Sequence, residues 1–144
     1  MLRTSAGAVS AAVAVMMTTL WPAAIAIAAV APATTTVTIR VDGDAQVSGE
    51  MLAKLQERGA ARAAAIVAAP TGYDLRVLVL ARAPQWRQVF GASASGAVAV
   101  LSPRGDLLFM HIRQRESSVG RAMDRMADEI LDRLPALLRG EKVQ

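Results

Sequence analysis

The chain has 144 residues, of which 53% are hydrophobic and 19% are charged, with a formal net charge of +4 and no cysteine. The absence of cysteine excludes disulfide scaffolds, thiolate metal sites, cysteine nucleophiles and a lipid-modified cysteine. A large multidomain enzyme is also excluded, because only 111 residues follow the apolar first 33 and these suffice for one small domain.

The first 33 residues are much more apolar than the rest of the chain. Of these, 24 are hydrophobic, and no charged side chain occurs between Arg3 and Arg40. A membrane or an export channel tolerates such a segment, since hydrocarbon accepts apolar side chains and a helix satisfies its own backbone. Small residues recur at the spacing that signal peptidase reads, which predicts a signal peptide cleaved after Ala31 or Ala33.

An uncleaved membrane anchor formed by residues 8–33 is the alternative interpretation. Pro22 weakens it by removing one backbone hydrogen bond, although membrane helices tolerate proline. Both interpretations export a domain of residues 34–140, followed by a tail of residues 141–144. The predicted location is the periplasm or the cell envelope, with anchoring in the inner membrane as the alternative.

The exported part begins with a predicted strand at residues 36–41, where β-branched residues alternate with polar ones. A turn at residues 42–44 precedes a predicted helix, and Ser48 is its expected N-cap. Gly59 interrupts the apolar stripe of this helix. Two endings therefore stay open, one at Gly59 and one at Ala68.

The second half predicts three strands and a helix. The strands are expected at residues 73–82, 92–101 and 107–113, with a polar loop carrying Trp86 after the first and a tight turn at residues 102–106. Ser117 or Ser118 caps the last helix, whose apolar stripe is the clearest helical signal in the chain.

These elements give the order β-α-β-β-β-α, preceded by the hydrophobic export or anchor helix. The predicted class is α+β, with a mainly antiparallel sheet and both helices packed on one face.

Candidate chemistry is sparse. His111 is the only histidine, so a metal site would lack a second imidazole, and we expect neither a metal nor a cofactor. No Gly-x-Ser-x-Gly elbow surrounds any serine, which leaves a small secreted hydrolase as a distant third interpretation. We expect the protein not to be an enzyme, and the sequence assigns no catalytic residue.

Three carboxylates, Asp124, Asp128 and Asp132, follow one another at steps of four on the last helix. That spacing stacks them on one side, where they either bind a cation or belong to a solvated face that alternates acids with arginines. We favour the solvated face. The tripeptide Arg104-Gly105-Asp106, which integrin-binding adhesins display, is better explained as ordinary turn chemistry.

The exported part carries 15 basic and 12 acidic residues, a net charge of +3, and arginine supplies 14 of the 16 basic residues in the chain. Nucleic-acid binders cluster their positive charge or offer aromatic platforms, and this sequence does neither. We therefore expect no nucleic-acid partner. Contact with an anionic membrane surface is the expected use of this weak positive charge.

The order of elements resembles that of the amino-terminal domain of the periplasmic TolB family. The resemblance includes the run beginning Gly72-Tyr73-Asp74, the hairpin tip at residues 102–106 and the closing helix at residues 126–134, and covers roughly residues 36 to 138. It implies a small domain of the bacterial envelope. No propeller follows the domain in this sequence, and no binding residue is carried over.

The functional prediction is a non-enzymatic, exported domain that binds another envelope protein, of unknown process and oligomeric state. If residues 36–41 lie at a sheet edge, a partner strand can pair with them, which singles out Thr36, Thr38 and Arg40. The loop carrying Trp86 is the other candidate partner-binding site. A single-pass protein anchored by residues 8–33 is the runner-up.

Overall fold

The computed structural model describes residues 33–82 and 94–144. Within these ranges the order is β-α-β-β-β-β-α-α. The elements are β1 (Thr35–Asp42), α1 (Ala45–Ala60), β2 (Ala64–Ala68), β3 (Leu75–Arg82), β4 (Ala94–Leu101), β5 (Leu107–Glu116), α2 (Val119–Asp132) and α3 (Leu134–Leu138).

The strands form one sheet in the order β2-β1-β3-β4-β5, which confirms the predicted α+β class. β1 pairs in parallel with β2 and with β3, whereas β3, β4 and β5 are antiparallel neighbours. Half of the described strand pairings are thus parallel, where the sequence predicts a mainly antiparallel sheet. The difference arises because β2 follows β1 through a helix, a connection that returns the chain in the same direction.

Residues 64–68 form β2 and do not extend α1, so the helix does not continue to Ala68. It ends at Ala60, close to the alternative ending at Gly59, and Ala63 takes a left-handed conformation with φ 55°. A Cβ on Gly59 would lie 2.9 Å from the Ala64 carbonyl oxygen, so only glycine lets the helix end approach β2 this closely.

The start of α1 also differs from the prediction. Asp44 is its N-cap, and its carboxylate accepts a hydrogen bond of 3.1 Å from the Gln46 amide. The helix therefore begins before the predicted Ser48. A carboxylate is a favourable N-cap because it accepts a hydrogen bond from a free amide and its negative charge is stabilised at a helix N-terminus.

Both long helices pack on one face of the sheet, as predicted. Alternate residues of the strands point into this layer and are fully buried there, as are the apolar sides of α1 and α2. The largest buried side chains include Phe109, Ile39, Met51, Leu55, Leu75, Met123, Met126 and Ile130. The core thus lies between one sheet face and two helices.

The predicted last helix is divided in two. Ser118 caps α2 by accepting a hydrogen bond from the Arg121 amide, and the helix ends at Asp132. Pro135 is the second residue of the short helix α3. Proline lacks an amide and clashes with the carbonyl four residues earlier, which ends a continuous helix.

The carboxyl-terminal tail, residues 141–144, contacts the domain through Val143. The Val143 amide donates a hydrogen bond of 2.8 Å to the Leu108 carbonyl, and its side chain packs against the core. The tail therefore covers one end of the outer edge of β5.

Candidate interaction surface

The sheet face opposite the helices carries large apolar side chains in contact with solvent. Leu80 is 70% exposed, Met110 is 59% exposed and Ile112 is 54% exposed. We call this side of the sheet the open face. Its alternating side chains are the counterparts of the buried ones, because neighbouring residues of a strand point to opposite sides.

Strand register places these residues in two consecutive rows. Leu80 lies opposite Ala97, and Ala97 lies opposite Ile112. One step along the strands, Leu78, Ala99 and Met110 form the second row. We call these six residues the open patch: Leu78, Leu80, Ala97, Ala99, Met110 and Ile112.

Small side chains lie along the middle of the open patch, and larger ones lie on either side. Its middle strand, β4, contributes only alanines, whereas β3 and β5 contribute leucine, methionine and isoleucine on either side. A hollow of about 290 Å³ lies at one end, lined in part by Leu80, Ser95 and Ile112. Since neighbouring strands are roughly 5 Å apart, the two walls stand about 10 Å from each other.

Arginines stand at both ends of the open patch. Arg82 follows Leu80 by two residues on β3, and it has no ion-pair partner within residues 33–82 and 94–144. At the other end Asp42 binds Arg40 at 2.9 Å and Arg76 at 2.6 Å. The hydrogen bond from Arg76 holds the pKa of Asp42 below its usual value, so the cluster has a net charge of +1.

The predicted edge position of residues 36–41 is wrong. β1 lies inside the strand order, with β2 along its first half and β3 along its second. Thr36 lies opposite Ala65, and the Thr38 amide and hydroxyl donate to the Asp74 carboxylate at 2.8 and 2.7 Å. Arg40 belongs to the ion-pair cluster described above.

The reason for assigning partner binding to Thr36, Thr38 and Arg40 is thereby lost. It depended on an open edge, and the two edge strands of the described sheet are β2 and β5. Trp86 lies outside the described residues. Sequence reasoning missed the open patch, although the alternation in residues 73–82 and 107–113 contained the signal, because no pattern indicates that one sheet face lacks a cover.

His111 lies on the helix side of β5 and stacks on Phe109, with ring centroids 6.0 Å apart. Burial lowers its pKa, and the positive charge of Arg113 lowers it further. Ser95 belongs to the opposite side of the sheet, since its neighbours Ala94 and Gly96 are buried under the helices. These two side chains therefore cannot form a nucleophile and base pair.

The three acids of α2 form ion pairs with basic side chains of α1, where the sequence favours a solvated face. Asp124 binds Lys54 at 3.0 Å and Arg58 at 3.2 Å, and the same pattern continues along the helix. Three further ion pairs join the two helices at 2.6 to 3.0 Å: Arg58 with Asp128, Arg62 with Asp128 and Arg62 with Asp132. We call these contacts the ion-pair ladder, and it joins α1 to α2.

The ion-pair ladder explains the spacing that suggested a cation site. Burial opposes ionisation of Asp124, yet the hydrogen bond from Lys54 and the charge of Arg58 hold its pKa below the usual value. No cluster of metal-binding side chains occurs in the described part of the chain. The basic partners on α1 lie 66 to 70 residues away in sequence. The spacing of the acids on α2 therefore could not show that they form ion pairs with another helix.

The hairpin tip is a tight turn. The Ser102 hydroxyl accepts hydrogen bonds from the amides of Arg104 and Asp106 and donates to the Asp106 carboxylate at 3.1 Å. Gly105 takes φ +92°, a conformation that favours glycine. The structure thus supports the turn interpretation of this tripeptide.

No protein-family model matches the chain, and no curated protein matches it. Among solved structures it is similar to a minor lipoprotein from Acinetobacter baumannii, with 12% identity, a TM-score of 0.48, and 72% of this chain and 94% of that chain covered. A PelC dodecamer from Paraburkholderia phytofirmans gives 13% identity, a TM-score of 0.43, and coverage of 71% and 90%. At these scores no function is carried over from either structure. Neither comparison links the chain specifically to the TolB family.

None of the helices within residues 33–82 and 94–144 combines the length and the apolar character needed to cross a bilayer. All but the last residue of the segment for which a signal peptide or an anchor is predicted lies outside these residues.

Proposed function

We propose that this chain is an exported, non-enzymatic protein of the cell envelope, and that its α+β domain binds another protein through the open patch. One observation carries the proposal. Leu80, Met110 and Ile112 stand more than half exposed on a sheet face that no described helix covers.

Exposed apolar side chains that adjoin one another are unusual on a monomeric domain and mark sites of association. Covering a leucine, an isoleucine or a methionine stabilises a complex by roughly 1.5–3 kcal/mol for a fully exposed side chain. Three such residues in two adjacent rows therefore supply a substantial part of the free energy of a specific contact.

The apolar first 33 residues support export, because no charged side chain interrupts them after Arg3. Cleavage of the leader gives a free envelope protein, and retention gives the same domain on an anchor.

The natural lack of cysteine allows a direct test. Ile112→Cys places one thiol on the open patch, and Arg125→Cys places one on the exposed side of α2 as a matched control. Full-length variants are labelled with a membrane-impermeant maleimide, first in cells with a permeabilised outer membrane and then after purification.

We expect the control thiol to react in cells, because the domain is outside the cytoplasm. The Ile112→Cys thiol should react several-fold more slowly in cells than after purification, because a partner covers it. Equal rates in both settings would contradict binding at the open patch. A control thiol that stays unreactive in cells with a permeabilised outer membrane, and reacts only after lysis of the inner membrane, would contradict export.

A further inference from the structure

We propose that the partner covers the open patch with an amphipathic α-helix whose apolar ridge is flanked by acidic residues. This inference rests on the proposed function and names the chemistry of the partner. It follows from the shape of the open patch, its length and the charges at its ends.

The shape requires a ridge. Ala97 and Ala99 form a low floor between the larger side chains of β3 and β5. β3 and β5 are roughly 10 Å apart, so the space above the alanines admits one row of side chains, and a helix of about that diameter rests on the two walls. A helix lying along β4 fills this floor and gives the sheet a second helical layer, as in other α/β layer architectures.

The length sets the number of turns. Arg76 and Arg82 are six residues apart on β3, a distance of roughly 20 Å in an extended strand. At 1.5 Å per residue, a helix needs roughly 13 residues to cover that distance. The apolar ridge lies within this span, on residues three or four positions apart.

Charge complementarity identifies the flanking residues. Arg82 stands at one end of the open patch, and the cluster of Arg40, Asp42 and Arg76 adds a net charge of +1 at the other. All 12 acidic residues of the chain lie in the described ranges, and none pairs with Arg82. Acidic residues just outside the ridge of a partner helix satisfy both ends.

Two other occupants from this chain fit less well. A second copy placed face to face brings positive ends against positive ends and alanine floor against alanine floor. The leader has no acidic residue with which to meet the arginines. An anionic lipid surface matches the charge but offers no ridge for the floor, and it is one outcome of the test.

The test uses a photo-crosslinking residue in the full-length chain, which is expressed in the organism that naturally produces it. Met110→benzoylphenylalanine places the probe on the wall of the open patch and leaves the alanine floor intact, whereas Arg125→benzoylphenylalanine is the control on α2. After irradiation, the crosslinked peptide is sequenced by mass spectrometry, so that the contacted segment of the partner is known.

We expect an adduct at Met110 that is absent at Arg125 and maps to a segment with a helical apolar ridge and acids roughly 13 residues apart. Combining the probe with Arg82→Glu should lower the adduct yield about five-fold or more, because attraction at that end becomes repulsion. Arg121→Glu makes the same charge change at an exposed position of α2 and should leave the yield unchanged.

The outcomes separate the two proposals. An adduct with a partner strand, with a segment lacking acids or with a second copy overturns the helix inference while protein binding at the open patch stands. An adduct with lipid, or no adduct at Met110, overturns both. An unchanged yield with Arg82→Glu overturns the role of charge and with it this inference.

Discussion

The two faces of the sheet use similar apolar residues in opposite ways. On the helix side, Val77, Val79 and Val98 are fully buried under α1 and α2. On the open face, Leu80, Met110 and Ile112 remain exposed. The strands that carry them, β3 and β5, also supply core residues from their other side. Burial in this domain is therefore decided by which face the helices cover, and hydrophobicity alone does not separate core from contact surface.

Charge divides the molecule in the same way. On the helix side, acids and bases are matched across α1 and α2 by the ion-pair ladder. Of the described side chains that border the open patch, three are basic, Arg40, Arg76 and Arg82, and one is acidic, Asp42. The ion-pair ladder thus balances three bases with three acids on the helix side, whereas Arg40, Arg76, Arg82 and Asp42 give the border of the open patch a net charge of +2.

The largest expected effect comes from making the same change on each face. Ile130→Asp buries a carboxylate among α2 and sheet residues, where Ile130 is 0% exposed, and should cost about 4 kcal/mol of unfolding free energy. Ile112→Asp should cost less than about 1 kcal/mol, since that side chain is more than half exposed. Urea unfolding measures both, and equal losses would show that the faces do not differ as described.

A second comparison concerns the position of β1. Thr38→Pro should cost about 3 kcal/mol or more, because it removes the amide that donates to Asp74 inside the sheet. Thr38→Val keeps that amide, loses only the hydroxyl contacts and should cost about 1 kcal/mol. Thermal unfolding of the two variants should differ clearly. Identical melting temperatures would mean that β1 is not constrained by these contacts.

The ion-pair ladder should contribute a smaller amount, since its side chains are about one-third exposed and partly screened by solvent. Asp128→Asn removes contacts with both Arg58 and Arg62 and should cost about 1 kcal/mol at low salt, and less at high salt. Glu141→Gln, in a more exposed pair with Arg139, is the control and should cost less than Asp128→Asn. No salt dependence of the Asp128→Asn effect would argue against the ladder.

The smallest expected effect is a pH dependence due to His111. Its pKa is lowered by burial, so the unfolded state binds the proton more readily, and stability should fall as pH drops from the ordinary value of about 6.5 toward the folded pKa. Asp42 and Asp124, whose pKa values are also lowered, act in a separate window below about 3.8. Unfolding free energies measured from pH 7 to 5 should lose much of their slope in His111→Gln, the chain having no other histidine. A slope unchanged by this substitution would assign the effect to other groups.

Periodicity was sufficient for most of the local structure. Alternation at residues 73–82 and 107–113 predicted two strands, observed at Leu75–Arg82 and Leu107–Glu116, the turn at residues 102–106 predicted the hairpin, and the stripe of the last helix predicted its buried side. These features depend on contacts between near neighbours, which a short stretch of sequence contains. The α+β class followed from their order.

The sequence did not predict the element boundaries that depend on contacts between residues far apart in the chain. Residues 64–68 join β1 as a parallel strand, since pairing with Thr35–Ile39 outweighs the helix preference of an alanine-rich segment. The interior position of β1 followed from that pairing and removed the predicted partner-binding edge.

The sequence by itself determined the apolar leader, the alternation of the strands and the amphipathic character of the last helix, because each is a local pattern of side chains. Only the tertiary structure decided that the acids of α2 meet the bases of α1, and that Leu80, Met110 and Ile112 share an uncovered surface. The physical reason is that alternation shows which residues of a strand share a side, whereas the covering of that side depends on where helices distant in sequence come to pack.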